Sequence, residues 1–215
     1  VAIGKATKLI EFLDDDKEYS AEITFGHSTT TFDIEGEAIF SAQTEGAKKI
    51  ALEQLKEALN FFRGEILQTP PIYSAIKVNG KKLYEYAREG KEVKIEPRKV
   101  TIEKIEIKSF DEARQVAEVL IKCSKGTYIR SIANDLGQNL GCGAFLSKLT
   151  RTQAGRFFIN NSIKLEDFKN LEDIEKNLVN PCNVLNLLSK DLTEDEHKKV
   201  LFGQKLANKE NFDDG

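Results

Sequence analysis

The sequence predicts an α+β fold with a mixed, largely antiparallel sheet flanked by helices. Residues 17–26, KEYSAEITFG, alternate apolar and polar side chains, as a strand with one buried face does. Residues 129–140 instead repeat apolar side chains every three or four positions, which is the pattern of an amphipathic helix. Strands and helices follow each other in a mixed order along the chain, and this order indicates α+β.

Composition sets the outer limits of what the chain can be. It has 215 residues, enough for one full domain or one domain and part of a second, with 40% hydrophobic and 31% charged residues. No apolar run approaches the roughly 20 residues that a membrane-spanning helix needs, so we expect no membrane role. The formal net charge is only −3, so any nucleic-acid-binding surface must be a local basic one.

Cysteine and histidine usage excludes several kinds of site. The cysteines at 123, 142 and 182 are widely spaced and odd in number, which fits neither a disulfide scaffold nor a zinc site and favours a reducing cytoplasm. The two histidines, His27 and His197, have no metal-binding or triad spacing. Phosphate-binding and dinucleotide-binding glycine motifs are absent from the sequence, which leaves chemistry by carboxylate, Tyr, Arg and Lys side chains.

Local patterns define the elements of the first half of the chain. Three- and four-residue apolar spacing indicates helices, and clusters of turn-forming residues indicate loops. Asn79-Gly80 suits the tight turn of a β-hairpin, and Gly64 and Gly90 suit helix ends. The predicted elements are a helix over 1–13, the strand over 17–26, a loop or hairpin around residues 33–36, a helix over 46–63, the hairpin at 79–80 and a short helix over 81–89.

The second half continues the mixed order of strands and helices. The alternation of the next strand shifts near Lys104, which predicts a bulge. Thr193 followed by Glu196 matches a capping box at the start of a helix. The predicted elements are strands over about 99–108 and 116–123, the helix over 129–140, a loop and strand over 145–158, and a helix near 194–202.

The stretch KGTYIR, residues 125–130, lies between a predicted buried strand and the helix over 129–140. Gly126 and Thr127 predict a turn and a helix N-cap, and a helix N-terminus attracts anions. Lys125, Tyr128 and Arg130 therefore point to an anionic ligand. Capping and solvation of the helix start would explain Tyr128 and Arg130 equally well.

Basic and aromatic side chains are interleaved over residues 68–90, QTPPIYSAIKVNGKKLYEYAREG. Lys77, Lys81 and Lys82 would form a solvated face in an ordinary domain. Tyr73 and the tyrosines at 84 and 86 strengthen a functional interpretation, because aromatic rings stack on unpaired bases while ammonium groups meet phosphates.

Four segments together resemble a known family in order and spacing. These are KEYSAEITFGHSTTTFDIEG, PPIYSAIKVNGKKLYEYAREG, CSKGTYIRSIANDLGQNLGCGAFLSKLTRTQAGRF and SIKLEDF, and they resemble the bacterial TruB-type tRNA pseudouridine synthases over about residues 1–170. The resemblance implies a pseudouridine-synthase fold and isomerisation of a uridine in the T-loop of tRNA (position 55), without a cofactor. It further implies a cytoplasmic protein whose partner is the tRNA T-arm stem-loop, with no obligate protein partner. Such chemistry requires the base to be flipped out of its stack.

The resemblance also assigns roles to residues of this sequence. Tyr19 would stack on the flipped base, although a strand core aromatic is its simpler interpretation from pattern alone. Tyr128 would be the second pocket aromatic, Arg130 the partner of the catalytic carboxylate, and Leu149 a contact of the base. The implied RNA contacts are Tyr73, Lys77, Lys81, Lys82 and Lys125.

The sequence departs from the family pattern in two places. The family's catalytic aspartate lies in a GxLDPxAxG segment upstream of the helix equivalent to VAIGKATKLIEF, and these 215 residues contain no such segment. We therefore expect this chain alone to be inactive, and an alternative is a catalytically inactive T-arm binding module or RNA-folding assistant. The family's T-D-T after the first strand is here Thr29 to Thr31, although Asp33 is retained.

Domain boundaries follow from the same resemblance. We expect a catalytic domain over 1–177, lacking its N-terminal part and including an RNA-gripping insertion over 41–98. Residues 178–215 would form a C-terminal extension, the start of a truncated PUA domain. A generic α+β structural protein, the third hypothesis, would show no affinity for RNA.

Overall fold

The computed structural model of the protein describes residues 1–14, 16–39, 48–185 and 190–207. Parts of the predicted insertion (41–47) and of the predicted extension (186–189 and 208–215) lie outside these residues. The chain divides into two compact units, one of Asp15–Ile163 and one of Val1–Asp14 with Lys164–Gly215.

The larger unit alternates strands and helices. Its strands are β1 Lys17–Phe25, β2 Ser28–Thr29, β3 Ala38–Ile39, β4 Gly64–Gln68, β5 Lys77–Val78, β6 Lys81–Lys82, β7 Arg98–Asp111, β8 Val116–Cys123, β9 Ala144–Ala154 and β10 Phe157–Phe158. Its α-helices are α1 Leu52–Leu59, α2 Leu83–Arg88 and α3 Ile129–Leu140, and short 3-10 helices occupy Asn60–Phe62 and Ile159–Asn161.

A six-stranded sheet in the order β10-β9-β1-β8-β7-β4 forms the frame of this unit. All its strand pairs are antiparallel, which confirms the predicted fold class. The register of β7 against β8 shifts between Ile102 and Lys104, so the predicted bulge is present. The two-stranded pairs β2-β3 and β5-β6 lie outside the sheet.

The core lies between one face of the sheet and the helices α1 and α3. On β1, Ala21, Ile23 and Phe25 are buried and Tyr19 packs against the cluster, as the alternation predicts. Helix α3 contributes the largest helical share, with Ile129, Ile132, Ala133, Leu136 and Leu140 all buried. Burial of these apolar side chains supplies the main driving force for folding.

Two glycines allow α3 to approach β9 closely. A Cβ atom on Gly137 would come within 2.1 Å of the backbone nitrogen of Ala144, so only glycine fits this crossing. Gly141 ends the helix in the left-handed conformation, with φ of 69°. The helix axis is therefore held tightly on the sheet, and its N-terminus has a defined position.

The predicted insertion contributes to both the core and the surface. Helix α1 buries Leu55, Ala58 and Leu59 in the core, and β4 pairs with β7 at the sheet edge. The predicted hairpin forms at Asn79-Gly80, where both residues have positive φ, 52° and 80°. Whether 41–98 acts as one RNA-gripping insertion stays a prediction.

The smaller unit is built of short helices. They are a 3-10 helix Gly4–Phe12, 3-10 turns Leu165–Asp167 and Pro181–Asn183, and the α-helices α4 Leu171–Lys176 and α5 Glu194–Leu201. The predicted N-terminal helix is thus a 3-10 helix, because apolar residues spaced by three (Ile3, Ala6, Leu9) suit three residues per turn as well. The capping box of Thr193 and Glu196 is confirmed.

Candidate active site and RNA-binding surface

The start of α3 presents an aromatic and a cationic side chain in one turn. Tyr128 is the N-cap residue, in extended conformation and without a side-chain capping bond, and Arg130 lies in the first turn. The predicted cap, Thr127, instead donates its hydroxyl to the carbonyl of Ser124 at 2.9 Å, which closes the preceding turn. The helix therefore begins at Ile129, as predicted, but its N-cap residue is Tyr128 rather than Thr127.

Arg130 bridges three parts of the unit. Its Nη1 donates to Asp33 Oδ2 at 2.8 Å and to the carbonyl of Thr31 at 3.4 Å, and its Nη2 donates to the carbonyl of Tyr73 at 3.0 Å. The guanidinium is thus oriented by a carboxylate and two backbone carbonyls. In this structure Arg130 has Asp33 as its carboxylate partner, a role that the sequence interpretation assigned to an aspartate outside these residues.

Asp33 is itself held firmly in its turn. Its Oδ1 accepts from the hydroxyl of Thr31 and from the backbone N–H of Glu35, the latter at 3.1 Å. Backbone hydrogen bonds on either side of Asp33 join this turn to Leu146 of β9: Leu146 N–H donates to Phe32 O and Ile34 N–H to Leu146 O, both at 3.0 Å. The Arg130 head group is therefore anchored beside β9.

Tyr19 and Leu149 share one face of neighbouring strands. Tyr19 pairs with Arg151, and Ala21 with Leu149, in the antiparallel register of β1 and β9, so all four side chains point to the face that α3 covers. Leu149 is 45% exposed although Ala21 beside it is fully buried. An apolar surface therefore stays open at the margin of the core.

The Tyr19 phenol lies in a partly desolvated position. Burial raises its pKa above the usual 10.0, the Cys123 side chain adds to the rise, and the hydrogen-bonding Arg151 guanidinium opposes it. Tyr19 therefore stays neutral at physiological pH and offers a ring and a hydroxyl rather than a phenolate.

The basic residues of the hairpin and α2 are already engaged with their neighbours. Lys81 forms an ion pair with Glu89 and lies 5.1 Å from the Tyr86 ring centroid. Lys82 lies 5.4 Å from the centroid of Tyr84. Lys77 is exposed on β5, Tyr73 is 36% exposed, and Lys125 is exposed in the turn before α3. Cations and rings are thus interleaved here as predicted, with Lys81 partly neutralised by its own chain.

Two family models match the chain. The model described as TruB family pseudouridylate synthase (N terminal domain) matches residues 1–129, and the tRNA pseudouridylate synthase B C-terminal domain matches residues 130–185. The chain belongs to the TruB family of pseudouridylate synthases. Its fold and the Arg130 site can therefore be interpreted within that family.

Curated relatives of this TruB-family chain carry one name. The protein named tRNA pseudouridine synthase B of Chromobacterium violaceum is 46% identical over 208 residues, covering 95% of this chain and 66% of the relative. The protein of the same name from Caldanaerobacter subterraneus is 42% identical over 215 residues, covering 99% of this chain and 73% of the relative. The chain thus spans about two thirds of the length of the relatives that it matches.

Solved structures support the fold of the TruB-family chain. A Cbf5-Nop10-Gar1 complex contains a chain that is 24% identical, with a TM-score of 0.55 over 77% of this chain and 39% of that one. An H/ACA RNP bound to a substrate RNA containing 2′-deoxyuridine gives a TM-score of 0.51 at 22% identity. At these identities the likeness concerns the fold alone.

The structure brings some predicted site residues together and adds others. Tyr128 and Arg130 lie at the start of α3, with Lys125 in the turn before it, and Tyr19 and Leu149 lie on the β1–β9 face. The lysines at 77, 81 and 82 lie on a separate hairpin. The sequence interpretation assigned no role to the Arg130 partner Asp33. A single Asp in a turn carries no spacing signal, so only its position across the fold reveals the pair.

Among the residues that the structure describes, no three His, Cys, Asp or Glu side chains group closely enough to bind a metal ion. The helices of the described ranges are all too short or too polar to cross a bilayer.

Proposed function

We propose that this chain forms the body of an enzyme that isomerises uridine to pseudouridine in the T-loop of tRNA. The observation that carries the proposal is the Arg130 site within a TruB-family chain, where Asp33 holds the guanidinium and is itself joined to β9, the strand that carries Leu149 and pairs with the Tyr19 strand β1. A flipped base needs a stacking surface, and a reacting carboxylate needs a cation that keeps it ionised and oriented.

The proposed roles are those that the family resemblance implies. Tyr19 stacks on the flipped base, Leu149 contacts it, and Tyr128 forms the second aromatic wall. Arg130 orients the catalytic carboxylate while Asp33 holds the opposite side of the guanidinium. Holding the RNA while a base is flipped requires cations that bind its backbone phosphates. Lys77, Lys82 and Lys125 are proposed for this role.

The 215 residues contain no GxLDPxAxG segment, so we propose that they bind the T-arm without completing the reaction. The test measures tritium release from a T-arm stem-loop that carries C5-labelled uridine. We expect no release by the 215-residue chain and release by a version preceded by a GxLDPxAxG segment. Release by the 215 residues alone would assign the carboxylate to a residue within them.

Arg130→Lys in the extended version tests the site itself. A lysine ammonium cannot reproduce the contacts of the two guanidinium nitrogens with Asp33 and the two backbone carbonyls. We therefore expect the single-turnover rate to fall roughly ten- to a hundredfold. Arg114→Lys, a change of the same kind at an exposed turn, is the matched control and should leave the rate unchanged. Equal rates for both variants would refute the role of Arg130.

A second candidate function is T-arm binding without chemistry. It predicts salt-sensitive affinity for the stem-loop, with no tritium release even from a version preceded by a GxLDPxAxG segment. Affinity alone does not separate the two functions, so the tritium assay decides between them.

A further inference from the structure

A side chain from strand β4 holds the backbone of Tyr128 at the start of α3. As an N-cap residue it carries its hydroxyl at the far end of a rigid ring, too far from the backbone to cap the helix, and it makes no side-chain capping bond. Gln68, the last residue of β4, instead binds the backbone of Tyr128 itself from across the fold. Its Oε1 accepts from Tyr128 N–H at 2.8 Å, and its Nε2 donates to the Tyr128 carbonyl at 3.0 Å.

The Gln68 side chain is buried, and its two hydrogen bonds to the Tyr128 backbone are called the Gln68 bracket below. It is 2% exposed, so both of its hydrogen bonds are shielded from competing water. One primary amide matches the N–H donor and the C=O acceptor of one extended residue, which holds Tyr128 at φ of −100° and ψ of 108°. Because the direction of a side chain follows from its backbone angles, the bracket determines where the Tyr128 ring points.

Two further hydrogen bonds join the segment after Gln68 to the first turn of α3. The Ser131 hydroxyl donates to the carbonyl of Thr69 at 3.0 Å, and Arg130 Nη2 donates to the carbonyl of Tyr73 at 3.0 Å. Residues 68–73 are therefore joined at three successive points to residues 128–131. The segment that leads into the lysine-bearing hairpin and the first turn of α3 form one continuous hydrogen-bonded unit.

We propose that Gln68 is a positioning residue that aims Tyr128 into the pocket and couples it to the segment leading to the hairpin of β5 and β6. The proposal rests on the function proposed above, since it concerns the same site. Gln68 touches neither base nor phosphate; it acts only through the Tyr128 backbone. Losing it should disturb the placement of the flipped base more than the binding of RNA to the hairpin surface.

Two variants separate the bracket from the bulk of the side chain. Gln68→Met keeps the volume and removes both hydrogen bonds. Gln68→Glu keeps the acceptor but, when ionised, has no donor for the Tyr128 carbonyl. Gln138→Met and Gln138→Glu are the matched controls, because Gln138 is an exposed glutamine on α3 itself.

Amide hydrogen exchange of the free chain gives the first readout. Gln68→Met should speed exchange of the Tyr128 N–H by roughly ten- to a hundredfold, the factor for a buried donor that loses its acceptor. The amides of Ile132 to Leu136 should keep their protection, which shows that α3 remains folded. Unchanged exchange at Tyr128, with the fold intact, would overturn the proposal.

A T-arm stem-loop with a fluorescent uridine analogue at the target position gives the second readout. We expect Gln68→Met to change the dissociation constant less than about threefold and to lower the fluorescence change on base flipping about tenfold. Gln68→Glu should regain part of that change as the pH is lowered, because a protonated carboxyl again donates one hydrogen bond. Gln68→Met should show no such recovery.

The outcomes distinguish the two proposals. If the unmodified chain does not bind the stem-loop, the proposed function fails, while the exchange at Tyr128 still tests the bracket. If the unmodified chain binds and flips the base but Gln68→Met does so equally well, the positioning role is wrong. If the amides of α3 lose their protection in Gln68→Met, the variant has unfolded locally and Gln68→Glu becomes the test. Its fluorescence change on base flipping should then recover as the pH is lowered. A Gln68→Glu variant without this recovery would overturn the positioning role.

Discussion

Asp33→Asn tests the ion pair that orients Arg130. The substitution keeps the size of the side chain but replaces the charged acceptor of Arg130 Nη1, at 2.8 Å, with a neutral carboxamide. A hydrogen bond to a charged group contributes about 1.5–3 kcal/mol to stability. The Arg130 and Asp33 side chains are 25% and 19% exposed, so solvent screening reduces the expected loss to about 1–2 kcal/mol.

A loss of this size is measurable by thermal unfolding. For a chain of this length, about 1–2 kcal/mol corresponds to a fall of roughly 2–8 °C in the unfolding midpoint. Circular dichroism would follow the transition, with Glu65→Gln as control, because Glu65 pairs with Lys99 on an exposed surface and its loss should leave the midpoint unchanged.

A double-mutant cycle isolates the pair from other effects of the change. Asp33→Asn and Arg130→Gln, measured singly and together, should be non-additive by about 1 kcal/mol or more. A midpoint for Asp33→Asn equal to that of the control, or additive effects in the cycle, would refute the reasoning that Asp33 holds Arg130.

Three further predictions use the ionisable groups of the fold. Arg151→Met should raise the pKa of Tyr19 further above 10.0, because it removes the cation that opposes the effect of burial. Ultraviolet titration measures the tyrosine pKa values, since the chain has five tyrosines and no tryptophan. An unchanged last titration step would contradict the prediction. Burial raises the pKa of Asp135 above 3.8, so the ionised carboxylate destabilises the folded chain at neutral pH. Asp135→Asn should therefore raise the unfolding midpoint at pH 7, and this gain should shrink as the pH falls through the raised pKa. An equal gain at every pH would argue against burial as the cause. A thiol reagent should label one cysteine of the folded chain, the exposed Cys182, and all three after unfolding, because burial raises the pKa of the other two thiols; rapid labelling of more than one in the folded chain would show that the core opens.

Local patterns predicted most of the elements because each pattern has a local cause. The alternation of β1, the three-and-four spacing of α3, the Asn79-Gly80 turn and the capping box at Thr193 all reflect backbone geometry within a few residues. The N-terminal segment differed, since spacing by three suits a 3-10 helix as well as an α-helix.

The sequence by itself determined the α+β class, the order of the elements, the membership of the TruB family and the residues that belong to its motifs. Only the tertiary structure decided which groups meet: Asp33 with Arg130 and Gln68 with Tyr128 lie 97 and 60 positions apart along the chain. The physical reason is that these contacts depend on how α3 is placed against the sheet. That placement follows from packing over the whole core, whereas a lone Asp in a turn or a lone Gln at the end of a strand has no periodicity from which its partner could be inferred.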